Sequence, residues 1–292
     1  MTDNEYLQAV LKSQDLADDS AELKALTTRR KDVEALLRSA FPDSSPTIRY
    51  GGSKAKGTLI KESYDLDIVC YFPHDDTTAG ETLEDIYNSV AAALEKDYAV
   101  ERKRSALRLR DKDLVDFHID VVPGRFTDDS KTDCFLYQEN GEKCRLKTNL
   151  QVHIDTVRDS GVLDAIRLLK LWKARKALDV KQFVFELLII DLLSAHKNKS
   201  LADQLIHVWT NFRDLDSPPK VEDPANPCGN DLMPLLDAVW NELGSVASST
   251  LSTIDNDGWE AVFGKVDTGA DKSAAVKMAV ASVATRTRPW CG

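Results

Sequence analysis

The chain has 292 residues, of which 42% are hydrophobic and 29% are charged. These values are typical of a globular protein, so the composition excludes a disordered, a collagen-like and a coiled-coil chain. With 38 basic and 48 acidic side chains, the formal net charge is −10. An acidic body excludes a diffuse positive surface for nucleic acid, so any nucleotide site has to be a local basic pocket.

The hydropathy pattern gives no indication of a signal peptide or of a membrane-spanning helix. The first ten residues are polar and acidic and do not form a signal peptide. The longest apolar run, 183–193, is interrupted by Glu186 and Asp191 and is too short to span a bilayer. The five cysteines are far apart and include no CxxC pair, which argues against a zinc ribbon or a disulfide framework. We therefore expect a cytoplasmic protein with free thiols and no membrane partner.

The N-terminal half alternates between helical and strand patterns. Apolar residues at helical spacing predict helices, and runs of β-branched and aromatic residues predict strands. Pro123-Gly124 is expected to end the last strand, and Asn140-Gly141 predicts a hairpin turn. The predicted helices cover about 20–41 and 82–98, and the predicted strands cover 47–50, 65–72, 106–110 and 114–122.

The C-terminal half changes to helical patterns throughout. A Pro- and Asn-rich loop at 216–230 divides it. We place a domain boundary near residue 148, with a mixed α/β domain at 1–148 and a helical domain at 149–292. The predicted helices cover 162–176, 183–196, 201–212, 232–243, 259–266 and 270–284.

A small-residue turn, Gly51-Gly52-Ser53-Lys54, follows the first predicted strand. Glycines let a backbone approach a ligand closely, and successive N–H groups at a helix start can bind an anion. The Ser53 hydroxyl adds a donor for a phosphate oxygen. By itself this pattern is more often an ordinary turn than a phosphate site.

Two carboxylates, Asp65 and Asp67, open the next strand. Residues two apart on a strand share a face, so these side chains lie side by side and repel each other. A divalent metal removes that penalty, and hard oxygen ligands favour Mg²⁺ or Mn²⁺. The alternative is a solvated pair of acids at a strand edge.

A third carboxylate, Asp120, lies on the strand over 114–122. Asp116, His118 and Asp120 share one face there, and apolar residues occupy the other. If this strand pairs with 65–72, Asp120 joins Asp65 and Asp67, and the three can hold two metal ions about 4 Å apart for phosphoryl transfer. We interpret His118 as a rim residue and Asp116 as a solvated acid.

Taken together, this order of motifs resembles the DNA polymerase β-type nucleotidyltransferase superfamily. The segment YGGSKAKGTLIKESYDLDIVCYF is similar to that of the 2′-5′-oligoadenylate synthetases and the cGAS/DncV-like nucleotidyltransferases (CD-NTases) of bacteria. Residues 168–173 resemble their LxKxW helix, 182–188 their QYALELL segment and 223–230 their DPxxPxxN loop. The resemblance implies an α+β fold with a polymerase-β-like mixed sheet, a C-terminal helical lobe and an active site in the cleft between them.

The resemblance also implies roles for the first set of residues. Gly52 and Ser53 would grip the donor triphosphate. Asp65 and Asp67 would bind both of two Mg²⁺ ions, with Mn²⁺ as a substitute. Asp120 would bind the metal that activates the attacking hydroxyl, which displaces pyrophosphate from an NTP.

A second set of implied residues belongs to the helical half. Lys170 corresponds to a lysine that reaches the triphosphate, and its alternative is a solvated helix lysine. Gln182 and Phe183 correspond to residues near the donor nucleotide, where Phe183 replaces the usual tyrosine and is equally consistent with a core position. Asp223 and Asn230 would shape the pocket wall, unless they only form turns.

The implied activity is synthesis of a cyclic di- or trinucleotide messenger from NTPs, ATP among them, for antiphage (CBASS) signalling through a downstream effector. Alternatives are a linear 2′-5′-oligoadenylate synthetase, an RNA or protein nucleotidyltransferase, or an inactive nucleotide-binding scaffold. The best basic patch, 101–104 with Arg108 and Arg110, is interpreted as solvated or pocket-rim charge. This favours the bacterial branch and no long duplex as a partner.

The last residue is Gly292. Some bacterial members end in a small residue that a ubiquitin-ligase-like partner conjugates to targets, and this tail resembles theirs. The alternative is an ordinary terminus.

Overall fold

The computed structural model describes residues 1–16, 19–110, 118–139 and 144–266. Helices and strands are mixed up to residue 148, and every named element in the described residues after it is a helix. The elements in chain order are α1 (Asp3–Ser13), α2 (Ala21–Ala40), β1 (Thr47–Tyr50), α3 (Gly52–Lys56), β2 (Leu66–Phe72), α4 (Leu83–Leu94), β3 (Ala99–Arg102), β4 (Leu107–Arg110), β5 (His118–Phe126), β6 (Cys134–Tyr137), β7 (Arg145–Thr148), α5 (Leu150–Arg158), α6 (Leu163–Arg175), α7 (Gln182–Leu192), α8 (Leu201–Asp214), α9 (Met233–Asp237), α10 (Trp240–Asp257) and α11 (Trp259–Phe263).

The strands form one mixed sheet in the order β1-β2-β5-β4-β3, and β6 and β7 extend from the far end of β5. β2 and β5 are parallel, and every other pair is antiparallel. The parallel register sets Asp67 directly opposite Asp120. The predicted fold class, a mixed sheet with helices, is confirmed.

The two faces of β2 contact different parts of the protein, because successive side chains of a strand point to opposite sides. Ile68, Cys70 and Phe72 are buried in an apolar cluster with side chains of α2 and α4. Asp67 and Val69 lie on the opposite face, on the side of α3 and α5. The catalytic candidates therefore lie on the sheet face that is turned away from α2 and α4.

The helical half buries its own apolar cluster around the large rings of Trp172, Trp209 and Phe212. α1 joins this cluster through Leu7 and neighbouring residues, although it precedes the sheet in the chain. The domain boundary near 148 stays a prediction. Within the described parts of the chain, no helix is both long and apolar enough to cross a membrane.

The predicted end of the last catalytic strand was wrong. β5 continues through Pro123 and Gly124 to Phe126. β5 pairs with β4 up to Val121 and with β6 from Gly124 onward. Pro123 falls between these two pairings, where a missing N–H breaks no antiparallel ladder.

The helix predicted over 232–243 was also wrong, because two helices meet there and the second continues to Asp257. Gly244, inside α10, allows close packing: a Cβ at this position would lie 2.8 Å from the carbonyl oxygen of Phe212 on α8. The predicted Asn140-Gly141 turn, the 270–284 helix, Asp116 and Gly292 lie outside the described residues.

Candidate active site

The glycine turn brings the start of α3 against β2. The Gly51 N–H donates to the Asp67 carbonyl at 2.9 Å. Gly52 has φ of +49°, and a Cβ there would lie 1.6 Å from Asp67 Oδ2. Only glycine fits this position, because a side chain would occupy the place of the Asp67 carboxylate and would strain the backbone.

Replacing Gly52 with alanine is therefore expected to rotate the Asp67 carboxylate out of the site. We expect activity to fall at least about a hundredfold, since a 1 Å displacement of a reacting group costs this much. Gly57 is the matched control. Its φ is +78° and a Cβ there would meet nothing within 4 Å, so Gly57→Ala carries only the backbone strain. Steady-state rates of Gly52→Ala equal to those of Gly57→Ala would contradict the close-approach argument.

The three predicted carboxylates come together at one end of the parallel strands. Asp65 is exposed, while Asp67 and Asp120 are half-buried. Loss of water around Asp67, together with the charges of Asp120 and Asp65, raises the pKa of Asp67 to about 7. The pKa of Asp65 is also raised, by desolvation and by the charge of Asp120. The charge of Asp120 therefore acts on both Asp65 and Asp67.

These residues fit a divalent metal in chemistry and in backbone placement. Three oxygen donors share one face, and mutual repulsion of this kind is what a bound cation relieves. In the described ranges, however, no three acidic, histidine or cysteine side chains converge closely enough to hold an ion as they stand. A metal ion held by all three carboxylates would therefore require these side chains to reorient.

Arg108 of β4 contacts one of the three carboxylates, Asp120. It lies directly opposite Asp120 across the β4–β5 ladder. Its Nε donates to Oδ1 at 2.8 Å and its Nη2 donates to Oδ2 at 2.7 Å. This hydrogen bonding raises the pKa of Arg108. The sequence prediction treated Arg108 only as solvated or rim charge and missed this contact.

A buried ion pair joins α3 to the helical half. Lys56 Nζ lies 2.8 Å from Glu186 Oε2, and both side chains are almost entirely inaccessible. Glu186 also accepts hydrogen bonds from Thr58 Oγ1 at 3.0 Å and from Gln182 Nε2 at 3.2 Å. The predicted residue Gln182 therefore touches this network, whereas Lys56 and Glu186 were not predicted as site residues.

Lys170 lies beside this network and is buried, with its Nζ 3.4 Å from the Thr58 carbonyl oxygen. Burial lowers the pKa of Lys170 to about 8, against the opposing charges of Glu186, Asp65 and Asp67. A solvated lysine is therefore wrong, and the ammonium lies within the electrostatic reach of the carboxylates. Its contact with a triphosphate stays a prediction.

The lowered pKa of Lys170 gives a pH test. The ammonium loses its proton as pH rises through about 8, so the affinity for a non-hydrolysable ATP analogue is expected to fall about tenfold between roughly pH 7 and pH 9.5. Lys170→Arg should show a clearly smaller fall, because a guanidinium stays charged and only the ionisation of Asp67, whose pKa is about 7, still opposes binding. Lys176→Arg, an exposed substitution directly after the end of α6, should keep the wild-type fall. An identical fall in Lys170→Arg would contradict the assignment.

The remaining predicted residues meet around His153 of α5. Asp223 is buried and accepts hydrogen bonds from His153 Nε2 at 2.7 Å and from Asn230 Nδ2 at 2.8 Å. Burial opposes ionisation there, but these hydrogen bonds lower the pKa of Asp223 overall. The His153 ring lies 4.3 Å from the Phe183 ring, between centroids. Sequence reasoning gave no signal for His153, because its partners are distant in the chain.

A cavity of about 520 Å³ opens on the same sheet face, beyond Asp67. Val69, Tyr71 and Phe126 form its apolar side, and Arg49 and Lys131 are among its polar residues. Its lining includes none of the predicted site residues.

Residues 1–159 match the SMODS family model, the Second Messenger Oligonucleotide or Dinucleotide Synthetase domain. The match covers more than half of the 292 residues. The chain belongs to this family. Members of the SMODS/CD-NTase family are nucleotidyltransferases that synthesise cyclic oligonucleotides, so the predicted family and enzyme class are confirmed. Comparison with curated proteins finds no match.

Solved structures of CD-NTases share this fold. Escherichia coli MS115-1 CdnC, solved with ATP, is 17% identical with a TM-score of 0.67 over 92% of this chain and 99% of its own. Bradyrhizobium diazoefficiens CdnG, solved with GTP, is 15% identical with a TM-score of 0.64 over 94% and 97%. Vibrio cholerae DncV, a cyclic AMP-GMP synthase, is 15% identical with a TM-score of 0.61 over 92% and 87%. At these identities the similarity establishes the fold alone.

Proposed function

We propose that this CD-NTase joins NTPs, ATP among them, into a cyclic di- or trinucleotide with release of pyrophosphate. The observation that carries the proposal is the pairing of Asp67 with Asp120 across parallel strands, with Asp65 on the same face. Gly52 abuts this pair, and Lys170 contributes a buried positive charge beside it. The arrangement unites an acidic centre with donors for a polyphosphate.

We propose two Mg²⁺ ions as cofactor, with Mn²⁺ as a substitute. Asp65 and Asp67 would hold both ions, and Asp120 would hold one of them. When bound, the metal would neutralise phosphate charge and stabilise the negative charge that develops during transfer at the α-phosphorus.

The chain's own residues would position the donor nucleotide. The backbone N–H groups at Gly52 and the hydroxyl of Ser53 would bind the triphosphate, and the Lys170 ammonium would balance its charge. Gln182 and Phe183 would contact the donor nucleoside, with the Phe183 ring available to a base. The hydrogen-bonded Asp223 and Asn230 would keep the adjacent loop in place. Such positioning supplies much of the rate enhancement in phosphoryl transfer.

The product would act as a messenger for a downstream effector in antiphage defence, made in the cytoplasm. Conjugation through Gly292 by a ubiquitin-ligase-like partner stays a prediction, as does the absence of a long duplex partner.

The proposal is tested by incubating the protein with Mg²⁺ and the four NTPs, each labelled in turn. The products are then treated with phosphatase, and their masses are determined by mass spectrometry. A cyclic product has no terminal phosphate, so it resists phosphatase, and its mass fixes the ring size. A phosphatase-sensitive ladder would replace this proposal with a linear synthetase. Bound nucleotide without any product, with Mg²⁺ or Mn²⁺, would favour an inactive scaffold.

A further inference from the structure

Arg108 holds Asp120 through both oxygens of the carboxylate. The two N–H groups of its fork meet Oδ1 and Oδ2 at 2.8 and 2.7 Å. The side chains are partly buried, 28% exposed for Arg108 and 17% for Asp120. Paired, charge-assisted hydrogen bonds of this geometry are among the stronger polar contacts in proteins, and burial protects them from screening by salt.

Asp120 differs in this respect from the other two carboxylates. Across the described segments, neither Asp65 nor Asp67 has a salt-bridge partner. The same segments contain no converged set of metal-binding side chains. The Arg108 fork therefore occupies the one carboxylate that completes the proposed metal site.

We infer that Arg108 is an internal counter-ion that has to release Asp120 when a divalent metal binds, and so sets the metal concentration at which the site fills. This inference rests on the proposed function. A cation of charge +2 and a guanidinium cannot both neutralise Asp120 at contact distance without repelling each other. Metal binding is then a competition, and wild-type affinity includes the cost of displacing Arg108.

The neighbouring strand offers a place for the displaced guanidinium. Glu101 of β3 lies directly opposite Arg108, and Arg108 lies directly opposite Asp120, so the three side chains share one face of the sheet. Glu101 already accepts hydrogen bonds from Lys103 and Arg110, so a displaced Arg108 would join this partly exposed group of charges. Arg108 is a positioning residue in this scheme, since it acts through Asp120.

Mn²⁺ affinity of the full-length, nucleotide-free chain tests the inference by calorimetry at about pH 8. Arg108→Gln is expected to bind Mn²⁺ about tenfold more tightly than wild type. Arg102→Gln is the matched control, because Arg102 lies on the neighbouring strand β3 and pairs with Glu95, away from Glu101 and the site carboxylates. It should stay within about twofold of wild type. Equal or weaker binding by Arg108→Gln would show that Arg108 only supports Asp120, and would overturn the inference.

A second measurement needs no variant and decides the question if Arg108→Gln does not fold. The Nε–H signal of Arg108 in wild-type protein, followed by NMR, should shift as Mg²⁺ is added, and an unmoved signal under saturating Mg²⁺ would overturn the inference. Failure of the proposed function looks different. In that case neither wild type nor Arg108→Gln binds Mn²⁺ or Mg²⁺ at millimolar concentrations, which also overturns this inference. If wild type binds the metal normally and Arg108→Gln binds it with the same affinity, the counter-ion inference is rejected but the proposed function is not.

Discussion

Replacing Asp67 with asparagine is expected to abolish product formation and, at the same time, to make the metal-free protein more stable. The first effect follows from loss of a proposed metal ligand, which removes several kcal/mol of charge stabilisation in the transition state. We expect product formation to fall at least about a thousandfold. The second effect follows from the loss of water around the Asp67 carboxylate and, after that, from repulsion by Asp120 and Asp65.

The sign of the stability effect comes from the pKa of Asp67. Its folded value of about 7 lies above the ordinary value of 3.8. Ionisation of Asp67 therefore costs folding free energy, a cost absent below about pH 4 and complete above about pH 7. At about pH 8, relief of roughly 1 kcal/mol should raise the Tm of metal-free Asp67→Asn by about 2–4 °C. The gain should shrink toward about pH 5.

Thermal melting across this pH range, with and without Mg²⁺, checks the stability effect. Asp97→Asn removes an exposed carboxylate from the turn after α4 and is the matched control. It should leave both activity and Tm close to wild type. An Asp67→Asn protein that melts below wild type at about pH 8 without metal would show that Asp67 stabilises the fold, contrary to the electrostatic argument.

Replacing Glu186 with alanine is expected to give the largest loss of stability among single substitutions at the site. The change leaves the Lys56 ammonium buried without its carboxylate partner, together with donors on Thr58 and Gln182. Breaking one side of a buried pair costs about 3–5 kcal/mol. For a chain of this size, that corresponds to a fall in Tm of roughly 10 °C.

Two controls separate the ion pair from general effects on α7. Asp191→Ala removes an exposed acid from the same helix and should change stability by less than about 0.5 kcal/mol. The double change Lys56→Met with Glu186→Leu removes both charges and should recover most of the loss, since an apolar pair of similar volume often replaces a buried ion pair without cost. A Glu186→Ala protein that melts within about 2 °C of wild type would contradict this account of the contact.

The common sheet face of Asp65, Asp67 and Asp120 could be predicted, because it depends on local sequence patterns. The two-residue spacing of Asp65 and Asp67 on a strand fixes a common face, and an apolar alternation fixes the face of Asp120. Which strands pair is not local, but the order of motifs along the chain resembled a family in which these strands are neighbours. The register that sets Asp67 opposite Asp120 confirms that pairing.

The contacts that control these carboxylates could not be predicted, because each joins residues distant in sequence. Glu186 interrupts an apolar run, which indicates a buried charge. No local sequence pattern identifies its partner, Lys56, which is 130 residues away. Arg108 was identified as part of a basic patch, and only the β4–β5 register directs it to Asp120. Strand register depends on tertiary packing as well as on local pattern.

The first helix was missed for a different reason. α1 begins with a capping box in which Thr2 and Glu5 exchange hydrogen bonds, a signal that the sequence does contain. Its buried face packs on the helical half, and Tyr6 donates to the carbonyl of Gly264 at 2.6 Å. A polar, acidic composition masked the four apolar residues that attach it.

Pyrophosphate release by the purified full-length chain tests the central claim most directly. Wild type is compared with Asp65→Ala/Asp67→Ala in mixtures of NTPs with Mg²⁺, and circular dichroism confirms that the double variant is folded. We expect wild type to release pyrophosphate in proportion to a phosphatase-resistant product, and the double variant to release none above background. Undiminished release by the folded double variant would contradict nucleotidyl transfer at this site.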